Sequence, residues 1–199
     1  MLDQLVFHPP RPAAAAAAVE LVGADSAARA SLEAFIAGAF RRAYGAELHH
    51  FCDTLLGCRD ARGQWCAALG YTLAADGPLF LEQYLDTAIE AAIAQRTDHP
   101  VERAQIVEVG NLAARDPGAA RALIVAMTRL LHGQGRHWVA FTATASLLNS
   151  FARLRLRPGV LAAADPRRLP DGGRHWGTYY HSQPQVMFGD IRYGHAQLS

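Results

Sequence analysis

The sequence predicts an α/β (α+β) fold built on a mixed β-sheet, and three observations lead there. The chain has 199 residues and is 51% hydrophobic, which is enough apolar material for one sizeable core. Residues 51–73 carry the alternation and turn chemistry of a β-hairpin. Residues 105–142 then run strand, helix, strand, so helices are interspersed among strands and both pairing senses are expected in one sheet.

Each element has its own signal. Leu2 to Phe7 reads as a short strand or a tail, which His8-Pro-Pro-Arg-Pro12 ends. Val19 to Val22 is a second short strand. Ser31 to Tyr44 places Leu32, Phe35, Ile36, Ala39 and Phe40 on one helical face, with Arg41 and Arg42 at the negative pole of the dipole. Phe51 to Cys58 and Trp65 to Leu73 are strands joined by the turn Asp60 to Gly63. Gly77-Pro78 breaks the pattern, and Leu79 to Leu85 leads into a helix over Asp86 to Gln95, capped by Asp86 or Thr87. Gln105 to Val109 is a strand; Pro117 to Leu131 is a helix with proline in its first turn and Gly133 after its end. His137 to Thr142, Gly159 to Ala163 and Gln185 to Ile191 are strands, and a helix covers Ser146 to Leu154. Asp165 to Arg174, rich in Pro, Gly and Arg, reads as an exposed excursion between the last two strands.

Charge and cysteine content exclude several classes. With 19 basic and 18 acidic residues, the net charge of +1 supplies no global field for nucleic acid or an anionic membrane. Cys52, Cys58 and Cys66 lack the paired spacing of a zinc site and fit reduced thiols. No apolar run approaches the roughly 20 residues that cross a bilayer, and the N-terminus has no signal-peptide pattern, so the protein is read as soluble and cytoplasmic. His49, His50, His175 and His181 match no metal motif, and neither a Gly-x-Ser-x-Gly elbow nor a Walker loop is present; no metal is expected.

The informative chemistry lies between residues 105 and 120. Glu108 sits in an otherwise apolar strand, where a carboxylate is costly unless it is paired or lines a cleft. Its alternatives are a general base with a raised pKa, a holder of a substrate amine, or an ion pair with Arg103 or Arg136. Gly110 beside it suggests a bulge or splay that bares backbone groups. Arg115-Asp-Pro-Gly118-Ala-Ala120 heads a helix, where backbone N–H groups and the dipole favour an anion. Pro117 removes one of those donors. Glu82, Tyr84 and Asp86 alternate and would share one face if their segment is extended. Thr142 and Thr144 end a central strand, and Ser146 and Asn149 line the start of the helix that follows.

Four segments together carry a family resemblance: Gly77-Pro-Leu-Phe-Leu-Glu-Gln-Tyr-Leu-Asp86, Ile106-Val-Glu-Val-Gly-Asn-Leu-Ala113, Trp138-Val-Ala-Phe-Thr-Ala-Thr144 and Trp176-Gly-Thr-Tyr-Tyr180. From about Phe35 to Ile191 the chain resembles the thermostable haemolysin family, whose sequences are similar to GNAT-fold N-acyltransferases and especially to acyl-homoserine-lactone synthases. The resemblance implies a tail with a short strand over residues 1–30 and one GNAT-like domain over 31–199. It also implies a fourth strand splayed from the fifth, with the pantetheine of acyl-CoA or of acyl carrier protein in the gap and its phosphates at Arg115 to Ala120.

In that frame Glu108 and Glu82 are the catalytic candidates, and Tyr84, Asp86, Asn111, Thr142 and Thr144 face the acceptor. Val109, Gly110, Leu112, Arg115, Gly118, Ala120 and Asn149 face the carrier. The implied reaction moves a fatty acyl group from a thioester to a small amine such as an amino acid. Lactone synthases usually carry Arg three residues after the strand Glu; here that position is Asn111, which implies acyl transfer without a lactone product. A haemolysin acting directly on membranes and a non-catalytic binding module are the other classes. The oligomeric state is open.

Overall fold

The apolar runs form a sheet that is covered on both faces. A computed structural model describes residues 19–198, so the strand expected at Leu2 to Phe7 lies outside the described residues. Among the described residues, seven strands make one sheet: β1 (Val19–Val22), β2 (Thr54–Arg59), β3 (Trp65–Leu73), β4 (Ile106–Ala114), β5 (Trp138–Ala143), β6 (Gly159–Ala163) and β7 (Gln185–Asp190). Their spatial order is β1-β2-β3-β4-β5-β7-β6, and only β4 and β5 pair in parallel. A parallel pair needs a long crossover, which α3 (Pro117–Gly133) supplies.

Side chains alternate along each strand, so the two faces build separate cores. On one face Ile106, Ala140, Val186 and Phe188 pack with Ile89 and Ile93 of α2 (Ile89–Thr97) and with the 3-10 turn Phe80–Tyr84. The same face continues under α1 (Arg29–Tyr44), whose Leu32 and Ile36 meet Leu55, Trp65, Ala68 and Ala113. On the other face Val107, Leu69 and Tyr71 pack with Leu123, Met127 and Leu131 of α3 and with Ile191 of α5 (Ile191–Leu198). Leu131→Ala would cost about 2–5 kcal/mol, because the cavity cannot close between a helix and a sheet. The amphipathic α4 (Ala145–Arg153) adds partly buried Phe151 against Phe141 and Met187.

Several elements depart from the sequence expectation, each for a local reason. β2 starts at Thr54 and not Phe51, because the Cys52 N–H is taken by Asn111 Oδ1 at 2.8 Å and the Asp53 N–H by Thr72 Oγ1 at 3.1 Å. β4 does not stop at Val109. It takes a bulge and runs on to Ala114: Gly70 pairs with Gly110 and Ala68 with Ala113, so Asn111 and Leu112 share the space opposite Leu69.

Leu79 to Leu85 is not extended. Glu82 Oε2 accepts the Leu79 N–H at 2.8 Å and closes a 3-10 turn, so Glu82, Tyr84 and Asp86 do not share a face. Glu82 Oε1 also accepts the Ile89 N–H at 2.9 Å, so α2 opens there, not at Asp86 or Thr87. The segment expected as an exposed excursion, Asp165 to Arg174, turns partly inward and buries Leu169. α5 was not anticipated; Asp190 Oδ1 starts it by accepting the Arg192 and Tyr193 N–H groups at 2.7 and 3.2 Å.

Candidate functional site

The bulge in β4 opens a cleft through the middle of the sheet. β4 pairs with β5 only from Ile106 to Val109; beyond Val109 it stays with β3 and leaves β5. Asn111 makes that path possible with a left-handed backbone, φ 55°, a conformation asparagine tolerates better than most residues. Its side chain then braces the bend, accepting from Cys52 N and donating from Nδ2 to His50 O at 3.3 Å. A Cβ on Gly70, across from Gly110, would lie 2.7 Å from Cys52 Cβ, so the two glycines form the dent into which Cys52 fits. The resulting cleft measures about 530 Å³.

Glu108 lies on its floor and is the one buried charged residue among the described residues. Neither Arg103 nor Arg136 pairs with it; its carboxylate accepts the Leu81 N–H at 3.2 Å. Burial pushes its pKa up to about 7, against the backbone N–H groups of Leu81 and Phe80, while Glu82 and Asp53 add to the rise. A carboxylate poised there can take a proton at neutral pH. Cys52 beside it is no competing nucleophile, because burial and the Glu108 charge hold its thiol up at about 12.

One end of the cleft is aromatic. Phe40 and Tyr44 of α1, Phe80 and Tyr84 of the 3-10 turn, and Trp176 and Tyr179 all line it. The rings touch in sequence, with Tyr44 edge-on to Tyr179 at 5.1 Å and Phe80 at 5.9 Å from Trp176. His50 stacks on Phe80 at 4.9 Å, and desolvation there lowers its pKa, partly offset by Asp53. The other end runs along Leu112 to Pro117 and Ala120 and past Thr142, Thr144 and Leu147 into an apolar recess that includes Met127, Phe141 and Phe151.

Residues 22–195 match the family model described as thermostable hemolysin. The chain belongs to this family. Among curated proteins, no sequence match was found. Solved structures give the fold its relatives. TofI in its apo form is 15% identical over 91% of this chain and 95% of its own, with a TM-score of 0.60. FeeM, an N-acyl amino acid synthase from uncultured soil microbes, is 13% identical over 90% of this chain and 93% of its own, with a TM-score of 0.60. BjaI, a CoA-dependent acyl-homoserine lactone synthase with SAM and isopentyl-CoA, is 15% identical over 92% and 87%, with a TM-score of 0.56. The chain thus has the GNAT-like α/β fold of these structures, and no described helix is long and apolar enough to cross a membrane.

Of the residues singled out in the sequence of this hemolysin-family chain, Glu108, Tyr84, Asn111, Thr142, Thr144, Val109, Gly110, Leu112, Arg115 and Ala120 line the cleft. Glu82, Asp86, Gly118 and Asn149 are not among its walls. Glu82 is a structural clasp: Arg103 grips it with two bonds of 2.7 and 2.8 Å and also reaches Glu90, Ala74 O and Gly77 O. Burial raises the Glu82 pKa, but Arg103 and the Leu79 and Ile89 N–H groups outweigh it and hold the carboxyl at about 2. Such a group does not accept a proton at neutral pH. Asp86 is exposed and pairs with Arg168 at 2.6 Å. Asn149 is exposed on α4.

The anion cradle is also thinner than its sequence suggests. Asp116 caps α3 with its own carboxylate on the Ala119 N–H at 2.9 Å, and Pro117 has no donor. The Arg115 N–H is taken by Cys66 O at 2.9 Å, and its guanidinium pairs with Asp60 at 2.7 Å. Sequence reasoning missed Phe40, Tyr44 and Phe80 as cleft walls. The sequence places Phe40 on the apolar face of the first helix and Tyr44 only at its end; the two are four residues apart and so share a face, but nothing local says what that face meets.

Proposed function

We propose that this protein is an N-acyltransferase that moves a fatty acyl group from a phosphopantetheine thioester to a small amine, amino acids included, that carries an apolar or aromatic group. The observation that carries the reading is Glu108, a buried carboxylate with its pKa raised to about 7 on the floor of a cleft that separates β4 from β5. The amine enters at the aromatic end, where ring faces hold its cationic or apolar body. Glu108, or a water it orders, takes the ammonium proton. The freed nitrogen attacks the thioester carbonyl, the new C–N bond forms, the C–S bond breaks, and the second nitrogen proton passes to the departing sulfur, so the carrier leaves as its thiol. Backbone N–H groups at the Gly110 to Leu112 bulge, no longer paired with β5, stabilise the oxyanion. The recess beside Met127, Phe141 and Phe151 takes the acyl chain.

The thin anion cradle favours acyl carrier protein over coenzyme A as donor, because most backbone donors at the head of α3 are already used. The product, a fatty acyl amide with a polar head, is an amphiphile, and such a product would supply the lysis that the family's description names without a membrane-inserting protein. The test is incubation of the pure protein with acyl carrier protein thioesters, acyl-CoA and a panel of amines, with mass spectrometry of the products. An N-acyl amide that disappears with Glu108→Gln supports the proposal. Absence of amide with every donor, or leakage of liposomes by the protein alone, overturns it.

A further inference from the structure

The aromatic end of the cleft is closed by two segments far apart in the chain, residues 44–50 and residues 173–179. Gly177 brings them together: its φ is 53°, and a Cβ there would lie 2.0 Å from Tyr44 O, so only glycine fits. The Thr178 N–H donates to that same carbonyl at 2.8 Å, and the Glu47 N–H donates to His175 O at 2.7 Å. These backbone bonds set three side chains around one point. Donor atoms of Glu47, His49 and His175 all lie within 4.8 Å of one another. His175 Nδ1 is 3.9 Å from Glu47 Oε2, and the His49 and His175 rings meet edge to face at 4.7 Å.

We propose that Glu47, His49 and His175 bind a divalent transition-metal ion of the zinc class, which clamps the two segments that close the cleft. Two imidazoles and one carboxylate are a donor set that zinc accepts with a fourth position left to water. Calcium and magnesium, which take oxygen ligands, fit it poorly, whereas nickel and copper share the preference for imidazole. Metal–ligand bonds of about 2.1 Å require the donors to close by roughly 1 Å, which exposed side chains accomplish by rotating about their χ angles. His50 and Trp176, the chain neighbours of His49 and His175, line the cleft, so the ion fixes the walls of the aromatic end and takes no part in the reaction. The spacing of these residues in sequence matches no metal motif; the Gly177 contact and the two backbone bonds beside it assemble them.

The experiment is a titration of untagged, chelator-treated full-length protein with Zn²⁺ alone, followed by calorimetry and by tryptophan fluorescence, to which Trp176 contributes. The expected result is saturable binding that falls at least about tenfold in both His49→Ala and His175→Ala, since even loss of an outer-shell partner costs that much. The fluorescence change should vanish with it. His132→Ala, which removes one ring of the stacked His132 and His195 pair at 3.9 Å, should bind as the parent does. Far-UV circular dichroism of each variant checks that the fold is retained. Zinc binding that is absent in the parent, unchanged in both site variants, or lost only in His132→Ala overturns the proposal.

Discussion

Glu108 and Glu82 are two carboxylates close enough to feel each other's charge, yet they sit at opposite ends of the pKa range, at about 7 and about 2. Both are desolvated. The difference is the company each keeps: Glu82 has the Arg103 guanidinium and two backbone N–H groups, while Glu108 has backbone N–H groups and a cleft. A carboxylate with a cation is architecture; one without a cation, facing a cavity, holds free energy that is released when it gains a proton or an ammonium ion. Burial alone does not separate the two roles.

The comparison can be broken most sharply at Glu108. Glu108→Gln should lower turnover by about 10²- to 10⁴-fold, the usual worth of a positioned base, in an assay of amide formation. Its effect on stability has the opposite sign. A folded pKa raised above its unfolded value stabilises the fold below about pH 4.5, and that stability is lost as pH rises through about 7. At pH 8, therefore, the Gln variant should be more stable than the parent by about 1–3 kcal/mol in urea melts. A variant both inactive and less stable at pH 8 would make Glu108 a structural residue after all.

Arg103→Ala should cost about 2–4 kcal/mol, because it strands Glu82 and Glu90 and two carbonyls together. Glu82→Gln should cost about 2 kcal/mol near neutrality, discounted for the partial exposure of the pair. The sign follows from a depressed pKa: Glu82 stabilises the fold above about pH 4.5, and the gain is lost as pH falls through about 2. Acid unfolding of the parent should therefore flatten in this variant, while amide formation stays within a few-fold. A collapse of turnover without loss of stability would restore Glu82 as a catalytic residue.

How much of this was legible in the sequence depended on whether the signal was local. β3 and the start of α3 fell where periodicity and Pro117 placed them, because strand alternation and helix caps are read from neighbours. Glu108 stood out because a charge inside an apolar strand is conspicuous in one dimension. Glu82 was misplaced for the converse reason: its alternation with Tyr84 and Asp86 resembles a strand face, and only Arg103, 21 residues later, turns it into a clasp. The anion cradle had the right residue types, yet Asp116 supplies its own anion to the helix end. The aromatic walls come from α1, the 3-10 turn and residues 176–179, three segments that no short-range pattern joins.

Asn111 offers the smallest effect and the finest test of the contrast. It keeps residues 50–52 over the Glu108 side of the sheet through two side-chain bonds, and it does so from a left-handed backbone. Asn111→Gly keeps that backbone and loses the bonds, at a cost of about 1 kcal/mol; Asn111→Ala should lose roughly 1 kcal/mol more, because a Cβ strains the left-handed conformation. Both changes loosen the cover over Glu108 and admit water. The Glu108 pKa should then fall from about 7 toward its ordinary value, and the acid limb of the rate profile should move to lower pH with it. The Glu82 clasp lies outside that cover, so the window over which acid removes its stability, from about pH 4.5 through about 2, should stay where it is although the overall stability is lower. A shift of both limbs together would mean that the two carboxylates share one environment, and that the distinction between them rests on something other than the cover that Asn111 holds in place.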